Sequence, residues 1–300
     1  MSKIQKALQR LQSSGGPPAH SQAINAENVA NVAAITVGRK AEALGITENI
    51  HGVVIKLDHA ALRDAGLIAP EYHEQLLADQ YRDIKRPLIA NVFGKRVAKV
   101  EDGNLIMVTS AIPGEGKTFT SLNLAISIAQ EQDLTVLLVD ADVAKPHVSD
   151  VFGVGDMAGL LDVLEDSMER QEALIVPTDM PGLSVLPAGA PRPNATEMLS
   201  GSKMENLVRQ LSTQNPHRIV VFDTPPLLRT SESKVLANLA GQIVLVVKAE
   251  STTQGAVGEA LHVLGSNKAV NLVLNQSRRA GGSGQYEYGY GYRESGQAPH

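Results

Sequence analysis

LIMVTSAIPGEGKTFTSLNLAISIA, residues 105–129, changes character twice along its length. The apolar run from Leu105 to Val108 has the composition of a buried strand. It breaks after Ser110 into Ala111-Ile112-Pro113-Gly114-Glu115-Gly116-Lys117-Thr118, and from Phe119 onward the apolar residues recur at helical spacing. A strand, a glycine-rich loop, Lys-Thr and a helix, in that order, spell a phosphate-binding loop, with Ala111 where the usual pattern has its first glycine. Gly114 and Gly116 let backbone N–H groups close on an anion with no Cβ in the way, and the helix N-terminus adds its positive end. Lys117 can then reach the β- and γ-phosphates, and the Thr118 hydroxyl can ligate magnesium. Pro113 to Phe119 is therefore the expected contact run for a nucleoside triphosphate.

Outward from this stretch the sequence alternates strands with helices. Thr135–Val139 is apolar and β-branched and ends in Asp140-Ala141-Asp142. Leu160–Leu164 reads as helix and Leu183–Leu186 as strand, and a helix opens at Asn194 and runs to about Leu211. Ile219–Phe222, Ile243–Val247 and Val270–Leu274 read as further buried strands, the last two separated by a helix near Gly255–Leu264. Repeated β–α units with unbroken apolar strands predict an α/β fold, a parallel sheet covered on both faces by helices. Ligands in such sheets sit beyond the carboxyl ends of the strands, where the loop, Asp140, Asp142 and Asp223 all fall.

Upstream, residues 3–12 place Ile4, Leu8 and Leu11 on one helical face and Lys3, Lys6 and Arg10 mostly on the other, a peptide too short to hold a helix unaided. Residues 13–34 read as a flexible tether rich in Ser, Gly, Pro, Asn and Ala. Residues 35–86 read as a small cap, with a short strand in VVIKLD, a helical turn in ALRDAGLIAP, and a helix from Glu71 to Arg86 closed by Pro87. Asp79, Arg82 and Lys85 recur every three residues along that helix, a spiral on one exposed flank. Residues 87–279 carry the nucleotide-binding α/β unit, and 280–300 form a tail without the apolar content to fold.

Hydrophobic residues make up 43% of the 300, enough for a sizeable core, and the formal net charge of −5 argues against nucleic acid as a partner. The absence of cysteine fits a reducing compartment. No apolar run reaches the length of a membrane span, and the first residues have no signal-peptide core. These features predict a cytoplasmic protein whose membrane contacts come through a partner.

A triphosphate site needs magnesium and a carboxylate to hold it, and Asp223, after the strand IVVF, stands where the second nucleotide-binding motif belongs. Asp140 and Asp142 add a second carboxylate station, more negative charge than one magnesium ion needs, so one of them can act as general base toward a hydroxyl. The tail GGSGQYEYGYGYRESGQAPH supplies hydroxyls: Tyr286, Tyr288, Tyr290 and Tyr292 are among only six tyrosines in the chain. Tyrosine at every second position would share one face of a strand, but the interleaved glycines oppose a strand.

SAIPGEGKT, VLLVDADVAKP, VVFDTPP and the tyrosine cluster, in this order over residues 70–292, resemble the bacterial tyrosine kinases (BY-kinases) that regulate polysaccharide export, relatives of the MinD/ParA ATPases. The start, MSKI…ALQRL, is similar to family autokinases whose transmembrane activator is a separate polypeptide. The resemblance implies a tyrosine autokinase using ATP and Mg²⁺, phosphorylating Tyr286, Tyr288, Tyr290 and Tyr292 between subunits. It gives Lys117 and Thr118 the phosphate-loop roles, makes one of Asp140 and Asp142 the base and the other a metal support, and makes Asp223 the magnesium ligand. Asp79, Arg82 and Lys85 resemble the Glu-x-x-Arg-x-x-Arg motif that joins subunits into a ring, with conservative changes at both ends. Ala144 departs from the family arginine after the second aspartate, and Lys145 follows it. Implied partners are a separate inner-membrane co-polymerase as activator, further copies of the chain, and a cognate tyrosine phosphatase. The alternatives are a MinD/ParA-like ATPase switch, although Ile112-Pro113-Gly114 replaces that group's early Lys-Gly-Gly, and a catalytically weak adaptor that binds nucleotide to assemble an export complex.

Overall fold

The computed structural model describes residues 54–64, 67–68, 74–94, 99–165 and 168–277. Its centre is a sheet of strands β1 (Leu105–Ser110), β2 (Thr135–Asp140), β3 (Val176–Pro177), β4 (Leu183–Leu186), β5 (Arg218–Asp223), β6 (Gln242–Lys248) and β7 (Ala269–Asn275). They lie in the order β3-β4-β2-β5-β1-β6-β7. Every neighbouring pair is parallel except the short β3, which runs antiparallel to β4 at one edge. β1, β2 and β5 are buried along their whole length, as strands covered on both faces must be.

Successive residues feed two apolar layers. Leu105 and Met107 of β1 enter one, with helices α5 (Leu160–Glu165), α6 (Ala195–Leu199), α7 (Ser202–Thr213), α8 (Ser231–Leu239) and α9 (Gln254–Leu264). Ile106 and Val108 enter the other, with α1 (His59–Asp64), α2 (Glu74–Phe93), α3 (Lys117–Ala129) and α4 (His147–Val151). Among the described residues no helix is long and apolar enough to cross a membrane.

Three local expectations change. The helix expected to stop before Pro87 continues to Phe93 with the proline inside it. Proline removes one helical N–H, but tertiary contacts hold both sides of the break. Tyr81 and Leu88 are buried in the sheet layer, and beyond the proline the Gln242 amide donates to Leu88 O (3.0 Å) while accepting from Asn91 Nδ2 (2.7 Å). The helix expected from Asn194 to Leu211 is two, broken at Ser200-Gly201, where Gly201 is extended and Ser200 Oγ turns back onto Thr196 O. The short upstream strand is a single parallel bridge, Ile55 to Thr178, and Ile55, Leu57 and Leu62 share the apolar layer of α3.

Lys85 departs from the exposed spiral expected of it. It is only 4% exposed, and its Nζ donates to Ser127 O of α3 (2.5 Å) and pairs with Glu131 (2.7 Å). Asp79 and Arg82 remain at the surface, paired with each other at 2.5 Å. Lys85→Ala should therefore lower the unfolding free energy by about 1.5–3 kcal/mol, as expected for a hydrogen bond to a charged group. Arg82→Ala should stay within about 0.5 kcal/mol of the parent. Urea titration of both variants checks the split.

Candidate active site

The loop that follows β1 owes its shape to two left-handed glycines and one buried carboxylate. Gly114 and Gly116 have φ of +85° and +93°, a region costly for residues with a Cβ. At Gly116 a Cβ would also sit 2.0 Å from Asn275 Nδ2, which donates to Glu115 O (2.8 Å). The Glu115 side chain points away from the cavity. Its carboxylate accepts from Ile112 N (2.7 Å), Lys248 N (3.4 Å) and the Thr252 hydroxyl, tying the loop to the end of β6 and the turn after it. Glu115 thus shapes the loop with its side chain, and only its backbone remains for a phosphate.

Above the loop lies a cavity of about 610 Å³ at the carboxyl ends of the strands. Pro113, Gly114, Gly116, Lys117, Thr118 and Phe119 line it, and Asp142 forms part of its wall. Lys117 and Thr118 open α3, so the helix N-terminus faces the cavity floor. The segments after β2, β5 and β7 add residues that the motif reading did not assign to nucleotide: His147, Arg229 and Thr230, and Asn275 with Gln276. Their signal was positional, since each lies at or beyond the carboxyl end of a strand. Ala144 and Lys145 also line the wall, so the cation at this turn is the lysine.

The carboxylates divide into one at the wall and two behind it. Asp223 takes both hydroxyls of the first turns of α3, Thr118 Oγ1 and Ser121 Oγ, each at 2.8 Å. Asp140 lies directly across from Asp223 in the β2–β5 register. Its Oδ2 accepts from Ser149 N (2.8 Å) and Ser149 Oγ (2.7 Å), while its buried Oδ1 has no hydrogen-bond partner. Asp140 and Asp223 are both almost fully buried and do not line the cavity, whereas Asp142 does. Of the two aspartates Asp140 and Asp142, only Asp142 is accessible from the cavity.

Burial raises the Asp140 carboxyl to about 8, with the Asp223 charge adding to it and the Ser149 donors opposing it. Burial also raises Asp223 to about 6, against the Ser121 and Thr118 hydroxyls and the Lys117 charge. Asp142 is raised by burial as well, held back by Lys117 and His147. Among the described residues no group of three or more His, Cys, Asp or Glu could hold a metal by itself. The oxygens present nevertheless suit magnesium, which takes one or two protein ligands and completes its shell with phosphate and water. The Thr118 hydroxyl and the Asp223 carboxylate are paired, Asp142 faces the same space, and Asp140 carries an unpartnered oxygen behind them.

Residues 101–270 match the ParA family model, described as the NUBPL iron-transfer P-loop NTPase. The chain is 30% identical over 240 residues to the tyrosine-protein kinase YwqD of Bacillus subtilis, covering 79% of this chain and 96% of that protein. It is 31% identical over 193 residues to the tyrosine-protein kinase wzc of Salmonella typhimurium, covering 62% of this chain but 26% of that longer protein. Among solved structures, the VpsO kinase domain superposes with a TM-score of 0.56 at 31% identity, over 70% of this chain and all of that one. The kinase domain of Escherichia coli ETK gives 0.56 at 28% identity, over 71% of this chain and 80% of that one.

The raised carboxyls carry a stability signature. A carboxyl whose folded pKa lies above its ordinary value of 3.8 binds protons more tightly in the folded state, so stability is lost as pH rises from that value toward about 8. The protein without nucleotide or magnesium should therefore melt at progressively lower temperature from about pH 5 to pH 8. Asp140→Asn should flatten the slope. Thermal melts across this window test it, and parallel profiles for the two proteins would contradict the role given to Asp140.

Proposed function

This chain belongs to the bacterial tyrosine-protein kinases built on the ParA-type P-loop scaffold, and from that premise we propose that it phosphorylates the tyrosines of its own tail with ATP. The observation that carries this reading is the meeting of three features at one cavity. The phosphate loop forms its floor, the accessible carboxylate Asp142 lies in its wall, and Asn275 and Gln276, where the chain leaves the sheet toward Tyr286–Tyr292, line its rim.

The roles we propose rest on where these residues lie. Backbone N–H groups of the loop and the α3 N-terminus bind the phosphates, and Lys117 neutralises the transferring charge. Thr118 and Asp223 would hold Mg²⁺, which supplies charge neutralisation at the β- and γ-phosphates when bound. Asp142 accepts the tyrosine proton as the phenolic oxygen forms its bond to the γ-phosphorus and the bond to the departing ADP oxygen breaks. Asp140 stays behind as a buried positioning carboxyl.

The acceptor tail comes from a neighbouring copy. Oligomer contact runs through Arg82 and Asp79, which are exposed, and without Lys85, which is committed inside the fold. A separate inner-membrane co-polymerase recruits the protein to the cytoplasmic face of the membrane and activates it. The cycle serves polysaccharide export and is reset by a tyrosine phosphatase. Support for these last statements is the family resemblance.

Lys117→Met should abolish nucleotide binding and phosphorylation together. Asp142→Asn should lower phosphorylation by about 10²–10⁴-fold, the range for a lost general base, with nucleotide affinity largely kept. Asp140→Asn should cost far less. A phosphotyrosine assay run beside nucleotide titration checks all three. Mixing Lys117→Met, tail intact, with a chain carrying all four tail tyrosines as phenylalanine tests transfer between copies. Phosphate should appear on the Lys117→Met chain, and a mixture that stays unmodified would overturn transfer in trans.

A further inference from the structure

β7 is the outermost strand on its side of the sheet and pairs only with β6 among the described residues. Its sequence, AVNLVLN, carries no charge and no proline, so it lacks the usual defences of a free edge. Its even residues share one face: Val270 packs on the apolar layer of α9, while Leu272 and Leu274 stand 57% and 64% exposed, the most exposed large apolar side chains described. They lie beside Leu245 and Val247 of β6 in the parallel register, outside the cover that α9 gives. Among the described residues, this edge with its two adjacent exposed leucines has no partner strand, so it is a template open to one.

The chain that continues from this strand has a matching period. Tyrosine occupies 286, 288, 290 and 292, so an extended segment would place all four rings on one face and Glu287, Gly289 and Gly291 on the other. The segment 276–284, with glycine at 281, 282 and 284, lies between the two and allows the chain to reverse. In an antiparallel pair, directly opposed residues share a face, so a register of Tyr286 with Leu274 and Tyr288 with Leu272 lays rings on leucines.

We propose that the unphosphorylated segment 285–293 docks antiparallel along the free edge of β7, its tyrosines covering Leu272 and Leu274. The edge then serves as a resting place that keeps the tail hydroxyls on the sheet flank and out of any cavity. Glycines 289 and 291 weaken an independent strand, so the pairing depends on the template and is readily released. A phosphate on Tyr286 or Tyr288 would set a double charge against the leucines and disfavour the docked state. A second copy pairing through the same edge is the competing occupant, but it would leave the period of the tail unused.

The chain has no cysteine, so paired cysteines report without background. Full-length Leu272→Cys/Tyr288→Cys should form an intramolecular disulfide on mild oxidation in dilute solution. Leu272→Cys/Gly289→Cys, one residue out of face, should form much less. Hydrogen exchange gives a second reading without cysteine: amides 269–275 should lose protection in Leu272→Lys/Leu274→Lys, a surface change that leaves the core intact. Equal cross-linking of the two cysteine pairs, disulfide-linked dimers as the main product, or unchanged exchange in the lysine variant would each overturn the proposal.

Discussion

Asp223 holds two hydroxyls of one helix, Thr118 and Ser121, at the end of the central part of the sheet, and the rest of the site hangs from that contact. It fixes the N-terminus of α3 over the carboxyl ends of β1 and β5, which sets where the loop arches and where Lys117 begins its reach. The cost is a carboxylate almost without solvent, facing a second one, Asp140, in the adjacent strand. Burial displaces both carboxyls upward, with the Asp223 charge adding to the shift of Asp140 and the Asp142 charge to that of Asp223. A divalent cation with a nucleotide is the natural complement of such a site, because it relieves the repulsion that folding has created.

The loop is restrained from its other flank as well. Glu115 joins Ile112 to the end of β6 and the turn after it, and Asn275 joins the Glu115 carbonyl to the end of β7. The phosphate loop is thus held by β1 before it, α3 after it, and the ends of β5, β6 and β7 beside it. Such bracing keeps backbone donors aimed before a ligand arrives, and preorganisation of this kind makes electrostatic stabilisation effective. The Asn275 bond also makes the root of the tail part of the nucleotide cavity.

Strand order aside, most of the sheet was legible in the sequence, because strands covered on both faces are unbroken apolar runs and the loop between β1 and α3 has its own residue code. Depth was not legible. Each three-residue step rotates a helix by about 300°, so two steps from Asp79 carry Lys85 about 120° around the axis and off the exposed flank. β2 ends at Asp140, so Asp142, two residues on, lies in the turn beyond the strand and reaches the cavity wall. Local preference ends a helix at the proline in α2, and tertiary contacts to Gln242 override it. Glu115 stands within the motif, but its spacing cannot say whether it faces the ligand or the fold.

The destination of the γ-phosphoryl group separates a tyrosine kinase from an ATPase on this scaffold. Full-length protein incubated with Mg-ATP can be analysed at successive times for inorganic phosphate and, by mass spectrometry of the tail peptide, for phosphotyrosine. The account predicts phosphate on tyrosines between Tyr286 and Tyr292, accumulating with ADP and absent in Lys117→Met. ADP and free phosphate with an unmodified tail would contradict it and identify an ATPase switch on the same scaffold.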